Sequence, residues 1–233
     1  MAPRLAVGAV FGPTPLALGF ERAGHIVRLV DAEADPGAIA QVDLVLLDAP
    51  ADQVRLAAGL LASHARPRQM FLHTVLEEGP QLLDDVETAQ AIVMCAHNVF
   101  ADVWVTSAAD ELGETVVGLL VAEVGGVSMR IDDTSRPVIA AAQELRALES
   151  VVRGDAFELL VQAVPDMEAV AAQFRDAPAG APRAATPAQL DVLADALPEP
   201  GVRRLLVDLE RRRGQQLGDT DTELWAMQKY EGG

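Results

Sequence analysis

The chain has 233 residues, half of them hydrophobic, and a formal net charge of −17. This length can bury a core in one large domain or in two smaller ones. The negative charge argues against general binding to nucleic acids or anionic membranes, because both need clustered lysine and arginine. A single cysteine excludes an intramolecular disulfide, and neither a signal peptide nor an apolar run of transmembrane length is visible. We therefore expect a cytoplasmic protein.

The first predicted elements are a strand over residues 5–10, a glycine turn, a helix over 16–23 and a strand over 26–30 that ends at Asp31. This order is typical of the opening of a dinucleotide-binding fold, in which backbone N–H groups at a helix N-terminus hold the pyrophosphate. An acidic residue about 20 positions beyond the glycines can bond the ribose hydroxyls. Asp31 has this position, and it favours NAD over NADP because a carboxylate repels the 2′-phosphate.

The glycine turn departs from the usual G-x-G-x-x-G spacing. With Gly8 as the first glycine, Val10 and Pro13 stand where the second and third glycines belong. Val10 would crowd a phosphate, and Pro13 removes one N–H donor. The turn is therefore either a reshaped phosphate site or a strand-to-helix turn without a ligand. For the first alternative we predict these cofactor contacts: Gly8, Phe11, Gly12, Pro13 and Thr14.

The remaining elements divide the chain into two regions. Further strands are predicted over residues 42–47, 70–72, 91–96, 102–106 and 127–131, with helices over 53–63, 81–86 and 109–124. This alternation is typical of an open, mostly parallel α/β sheet. After residue 132 only helices are predicted, over residues 135–152, 155–164, 166–175, 186–197, 202–213 and 222–230. We expect a Rossmann-like dinucleotide-binding domain over 1–132 and a smaller all-helical domain over 133–233, with a linker near 176–185.

Polar or turn-forming residues follow three of the predicted strands. They are Ala49 and Pro50, His73 and Thr74, and His97. In open α/β sheets, ligands bind outside the carboxyl ends of the strands. An imidazole titrates near neutral pH, which suits His97 for removing a hydroxyl proton as hydride leaves. The alternative for His97 is a hydrogen bond to nearby backbone, and we expect His73 to line the cofactor cleft rather than to react.

Six short motifs follow one another along the chain: Ala23-Gly24-His25, Ala49-Pro50, Leu72-His73-Thr74, His97-Asn98-Val99-Phe100, Val103-Trp104-Val105-Thr106 and Gly125-Gly126. Their order resembles the 6-phosphogluconate-dehydrogenase-like group of NAD(P)-dependent oxidoreductases, over roughly residues 4–150. Within this group, the chain resembles most the Rossmann-like proteins with an uncharacterised C-terminal helical domain, and prephenate dehydrogenase.

The resemblance implies roles for several of these residues. Ala49 and Pro50 would neighbour the cofactor, and His97 matches the substrate-bonding histidine of prephenate dehydrogenases, with Asn98 in place of their proline. Other members carry a catalytic lysine early in the helical domain, where this chain has Arg136. Arginine stays protonated and cannot exchange a proton. It can clamp a carboxylate through two hydrogen bonds, however, and we predict that role for Arg136.

Three functional hypotheses remain open at this stage. The first is an oxidoreductase that uses NAD or NADP, with NAD favoured, acts on a small carboxylated metabolite, and dimerises through its helical domain. The second is a Rossmann-like binding or assembly module that has lost its cofactor, as Val10, Pro13 and the missing lysine suggest. The third is binding of another nucleotide or phosphorylated metabolite in the same cleft. Adjacent carboxylates lack a histidine or cysteine at metal-ligand spacing, so we predict no metal site.

Overall fold

The computed structural model of the protein describes residues 4–176 and 185–231. Two compact units are present, Met1–Ala147 and Leu148–Gly233. The first unit therefore extends beyond residue 132, where the sequence predicts the domain boundary. The predicted linker near 176–185 falls mainly on residues 177–184, which lie outside the described residues.

One sheet organises the first unit. Its strands are β1 (Ala6–Ala9), β2 (Ile26–Leu29), β3 (Leu44–Leu47), β4 (Met70–His73), β5 (Ile92–Phe100), β6 (Val103–Ala108) and β7 (Val127–Arg130). The helices of this unit are α1 (Pro15–Arg22), α2 (Ala51–Leu61), α3 (Asp84–Glu87), α4 (Glu111–Glu123) and the first part of α5 (Arg136–Ala163). Strands thus alternate with helices along most of this unit, as the sequence predicts, whereas β5 and β6 follow one another directly.

The strand order is β2-β1-β3-β4-β5-β6-β7. Neighbouring strands are parallel except for the antiparallel pair β5–β6, so the prediction of a mostly parallel α/β sheet is confirmed. From β1 the chain turns to one side to form β2 and then returns to the other side to form β3. Such a reversal opens a crevice at the carboxyl ends of the two strands, where ligands of doubly wound folds bind.

The central strands are buried on both faces, which explains their continuous apolar runs. All four residues of β3 have 0% exposure. Leu44 and Leu46 pack in the core that contains α1 and α4. Val45 and Leu47 pack in the core that contains α2. Successive side chains of β3 therefore pack against helices on opposite faces of the sheet.

Strand β5 is longer than the sequence predicts. It pairs with β4 only as far as Cys95, but it continues to Phe100 because its antiparallel neighbour β6 supplies partners such as Val105 opposite His97. The expectation that His97 follows the strand is wrong, since it lies within β5. His97 nevertheless stands beyond the carboxyl end of β4.

The second unit is helical. It contains the rest of α5, together with α6 (Ala171–Asp176), α7 (Pro187–Asp195), α8 (Pro200–Leu217) and α9 (Thr220–Glu231). The predicted break between two helices near residue 154 is wrong: α5 is continuous, because one glycine costs a helix only about 1 kcal/mol. The predicted start at Thr186 is confirmed by a capping box with Gln189. None of the described helices is long and apolar enough to cross a membrane.

Candidate functional site

The two glycines of the first turn have different roles. Gly8 is buried within β1, where a Cβ atom would come within 3.0 Å of the side chains of Val30 and Val42. It therefore allows close packing beside the strand. Gly12 has a φ of +93° and open space where a Cβ atom would lie, so the turn needs a glycine here and exposes its backbone. Gly12 is thus the glycine that a ligand can approach.

The N-terminus of α1 has few backbone donors. Thr14 caps the helix by accepting a hydrogen bond from Ala17 N at 3.3 Å, and its own N–H donates to Gly12 O at 2.9 Å. Pro13 and Pro15 carry no N–H group. Around this turn, within the described residues, the N–H groups without a partner are those of Phe11, Gly12 and Leu16. These N–H groups and the dipole of α1 are what the turn offers to an anion.

A cavity of about 710 Å³ lies beside this turn, at the end of β2 and against α2. Its size is typical of small-molecule and cofactor sites. Apolar side chains of Leu29, Leu56 and Leu60 form part of its wall. Two carboxylates also line it, those of Asp31 and Glu33. The cavity thus combines an apolar wall with a negative edge, directly beside the exposed turn.

The carboxylate of Asp31 is held in place by its own loop. Its Oδ1 accepts hydrogen bonds from Glu33 N at 3.0 Å and from Ala34 N at 2.9 Å. Among the hydrogen bonds of the described residues, none uses Oδ2 of Asp31, so that oxygen can accept a bond from a ligand hydroxyl. The predicted ribose contact is therefore geometrically possible.

A second group of polar residues lies at the carboxyl ends of β3 and β4 and on the part of β5 that continues beyond β4. We call Asp48, Thr74, His97 and Gln143 the carboxyl-edge cluster. Thr74 Oγ1 donates to Asp48 Oδ1 at 2.6 Å, and His97 Nδ1 lies 2.7 Å from Thr74 O. His97 Nε2 lies 3.1 Å from Gln143 Oε1 on α5. The cluster links the ends of β3 and β4, and β5 beside them, to the first part of α5.

Ala49 and Pro50 connect this cluster to the cavity. They follow Asp48 and precede α2, one face of which lines the cavity. Ala49 is half-buried against the core, whereas Pro50 is exposed and stands at the N-cap of α2. Both therefore lie in the loop that runs between the two groups of candidate site residues, and they stay predicted cofactor neighbours.

His73 is part of the interior. Its ring has 0% exposure, Nδ1 accepts a hydrogen bond from Val75 N at 3.2 Å, and Nε2 lies 2.9 Å from Gly79 O. Because Nδ1 accepts, the proton of the neutral ring is on Nε2. Burial lowers the pKa of His73 to about 4. The ring therefore fastens the loop after β4 and has no surface for a cofactor.

Arg136 is also buried, with 2% exposure. Its Nε donates to Asp133 Oδ1 at 2.7 Å, Nη1 donates to Leu76 O at 3.0 Å, and Nη2 donates to Ser107 Oγ. Nη1 also lies 3.6 Å from Cys95 Sγ. All three guanidinium nitrogens are thus bonded within the protein, which leaves no exposed edge to clamp a substrate carboxylate. Arg136 joins the start of α5 to β5, to β6 and to the loop after β4.

Two residues of the carboxyl-edge cluster, Asp48 and Gln143, are not predicted from the sequence. Asp48 directly precedes the Ala49-Pro50 pair, so its place after a buried strand was a usable signal. Gln143 lies seven residues after Arg136, which is about two helical turns and therefore the same face of α5. The spacing predicts that Gln143 also faces the sheet, but only if Arg136 is already known to do so.

Comparison with known proteins gives a family match and a set of similar folds. Residues 132–229 match the family described as 6-phosphogluconate dehydrogenase C-terminal domain-like. No curated protein sequence matches the chain. Among solved structures, imine reductase from Pseudomonas sp. is 14% identical with a TM-score of 0.64, covering 97% of this chain and 100% of that one.

Two further solved structures cover nearly the whole chain. The 3-hydroxyisobutyrate dehydrogenase of Mycobacterium tuberculosis is 14% identical with a TM-score of 0.53, covering 97% of this chain and 94% of that one. Pyrroline carboxylate reductase of Plasmodium falciparum, solved with NADP bound, is 11% identical with a TM-score of 0.55, covering 96% of both chains. At these identities the likeness shows the fold. The predicted resemblance is confirmed: this chain has the fold of the NAD(P)-binding Rossmann oxidoreductases and carries a 6-phosphogluconate-dehydrogenase-like C-terminal segment.

Proposed function

We propose that this protein is an NAD-dependent oxidoreductase that acts on a small metabolite. The observation that carries the proposal is the cavity beside Gly12 and Asp31, at the point where the strand order reverses. Dinucleotides bind at this point in doubly wound folds. The similar structures named as a dehydrogenase and as reductases support the same reaction class.

The described residues fit a dinucleotide. The apolar wall of the cavity suits an adenine ring, and Asp31 Oδ2 can accept from a ribose hydroxyl. The open turn at Gly12 can receive the pyrophosphate on its N–H groups. The carboxylates of Asp31 and Glu33 oppose a 2′-phosphate, and none of the residues that line the cavity is lysine or arginine. These charges favour NAD over NADP.

His97 is the residue that we propose for proton exchange with the substrate. A bound nicotinamide would supply or accept the hydride, and His97 Nε2 would supply or accept the accompanying proton. Proton exchange of this kind needs a hydroxyl, carbonyl or imine group on the substrate. Because Arg136 is buried, it gives no reason to expect a carboxylate on the substrate as well. A cytoplasmic location and a homodimer through the helical domain remain predictions.

Calorimetric titration with NAD, NADH, NADP and NADPH tests cofactor binding. We expect saturable binding below about 1 mM, tighter for NAD(H) than for NADP(H). Asp31→Asn should reduce this difference. Asp35→Asn is the matched control, since Asp35 belongs to the same loop but does not line the cavity. Absence of saturable binding for all four dinucleotides would refute the proposal.

Proton exchange needs a separate test. For a substrate that the wild type turns over, His97→Asn should reduce kcat by about 10²–10⁴-fold while leaving dinucleotide affinity unchanged. His64→Asn, at an exposed position, is the control for a histidine substitution as such. Full activity of the His97 variant would remove this residue from the mechanism.

One observation favours a second candidate function. Pro13 and Pro15 take two N–H groups from the phosphate turn, which weakens any pyrophosphate contact. A Rossmann-like binding module without dehydrogenase activity is consistent with this loss. Such a module should bind none of the four dinucleotides in the calorimetric titration, so the same experiment separates the two functions.

A further inference from the structure

Asp48 is the first residue after β3, on the opposite side of β1 from Asp31. The strand order places β2 on one side of β1 and β3 on the other. The cavity that contains Asp31 lies at the end of β2. An adenosine bound there leaves the other half of a dinucleotide to cross the crevice towards β3 and β4. On that side, Asp48 stands between the glycine turn and His97.

The carboxylate of Asp48 has no counter-ion among the described residues. Its Oδ1 accepts a hydrogen bond from the neutral hydroxyl of Thr74 at 2.6 Å, and none of the hydrogen bonds within the described part of the chain uses its Oδ2. The ion pairs of residues 4–176 and 185–231 all involve other carboxylates. The side chain is half-buried, so water and salt screen its charge less than that of an exposed carboxylate.

The other charged groups near this edge are paired, exposed or farther away. Arg136 is buried and pairs with Asp133, and β5, which it contacts through Cys95, lies two strand spacings, about 10 Å, from β3. The remaining charged side chains of the adjoining elements are exposed or paired with one another: Asp52, Glu77, Glu78 with Arg55, Glu144 and Arg146. Within the described residues, Asp48 is therefore the carboxylate of this edge that is both half-buried and unpaired.

We propose that Asp48 sets the preference of the site for the redox state of the dinucleotide and favours the oxidised form. The inference deepens the proposed function and rests on it. An oxidised nicotinamide ring carries a positive charge and a reduced ring is neutral, whereas the rest of the dinucleotide is the same in both states. A negative charge on this side of the crevice therefore stabilises the oxidised form and leaves the binding of the reduced form nearly unchanged.

This preference assists the reduction of a substrate. In that direction a hydride passes from the reduced dinucleotide to the carbon of a C=O or C=N group, and His97 supplies the proton for the oxygen or nitrogen. The dinucleotide is thereby oxidised, and positive charge develops on its ring as the hydride leaves. Asp48 attracts this charge without reacting itself, which is electrostatic stabilisation by a group already in place.

Calorimetric titration of the full chain with NAD and with NADH measures this preference as the ratio of two dissociation constants. Asp48→Asn removes the charge but keeps an oxygen that can accept from Thr74 Oγ1. We expect the variant to bind NAD about 3–10-fold more weakly, relative to NADH, than the wild type does. The charges of His97 and Arg136 are common to the two proteins, so their contributions cancel in this comparison.

Two further variants complete the test. Asp52→Asn removes an exposed carboxylate from the first turn of α2, and it should leave the ratio within about twofold of the wild type because solvent screens that charge. Asp48→Ala serves as the test if Asp48→Asn does not fold.

The possible outcomes separate this inference from the proposed function. An unchanged ratio in a folded Asp48 variant, or an equal or complete loss of affinity for both dinucleotides, would overturn the role of Asp48 and leave the proposed function standing. If the wild type binds neither NAD nor NADH, the proposed function fails and the inference fails with it.

Discussion

Replacing Arg136 by methionine tests whether the buried guanidinium supports the first unit. Methionine retains much of the length and apolar contact of the arginine stem, but it removes every donor. The substitution leaves Leu76 O and Ser107 Oγ without the partner that they have in the native protein. The third partner, Asp133, keeps 56% exposure and can be rehydrated.

The expected loss can be worked from these contacts. A buried polar group that loses its partner costs about 1–3 kcal/mol, and two such groups are created. The loss of the ion pair adds little, because the Asp133 carboxylate is more than half exposed and water can replace the guanidinium. We therefore expect Arg136→Met to lower the free energy of unfolding by about 3 kcal/mol.

Urea unfolding measures this difference, followed by circular dichroism and by tryptophan fluorescence, to which Trp104 of the same unit contributes. Arg28→Met, which removes an exposed arginine from β2, is the control and should change the free energy of unfolding by less than about 0.5 kcal/mol. Equal stability of the Arg136 and Arg28 variants would refute the reasoning. If Arg136→Met instead kept its stability but lost affinity for the substrate, Arg136 would act as the predicted carboxylate clamp.

Two further predictions concern His73 and Gly8. Because the pKa of His73 is about 4 in the folded protein and 6.5 ordinarily, the neutral ring contributes stability that is complete above pH 6.5 and is lost as the pH falls towards 4. Urea unfolding across this window should show a loss of about 3 kcal/mol in the wild type that His73→Gln lacks, and parallel curves would contradict the assignment. Gly8→Ala should lower the free energy of unfolding by about 1–3 kcal/mol through overpacking against Val30 and Val42, whereas unchanged stability in the same assay would show that the strand can relax.

The sequence predicts the centre of the sheet well because the central strands are buried on both faces. A run such as β3 must be apolar throughout, and a turn residue or cap must follow it, so the strand and its carboxyl end are both visible in one sequence. The positions of Ala49 and Thr74 at that edge follow directly. Their proximity follows too, because parallel strands end on the same side.

The chemistry of the site depends on pairings that no local pattern contains. Strand β5 runs through His97 because β6 supplies an antiparallel partner, and a hairpin between two apolar runs does not reveal its register. Arg136 is predicted as a substrate clamp because it stands where the resembled family carries a catalytic lysine, and an arginine is normally exposed. Its burial depends on acceptors from three separate segments. Gln143 becomes part of the site only through contacts with β5 that span more than forty residues.

The position of β1 in the structure changes which glycine of the first turn is open to a phosphate. Counting from Gly8 puts Val10 at the position that a phosphate needs, which suggests a blocked site. In the structure, however, Val10 N donates to Leu46 O and continues the pairing with β3. The open glycine is therefore Gly12, two residues beyond the position that the count from Gly8 assigns to the second glycine. Because Pro13 and Pro15 remove two N–H donors from the turn, the apolar wall of the cavity and Asp31 must provide a larger share of any dinucleotide affinity than the helix N-terminus does.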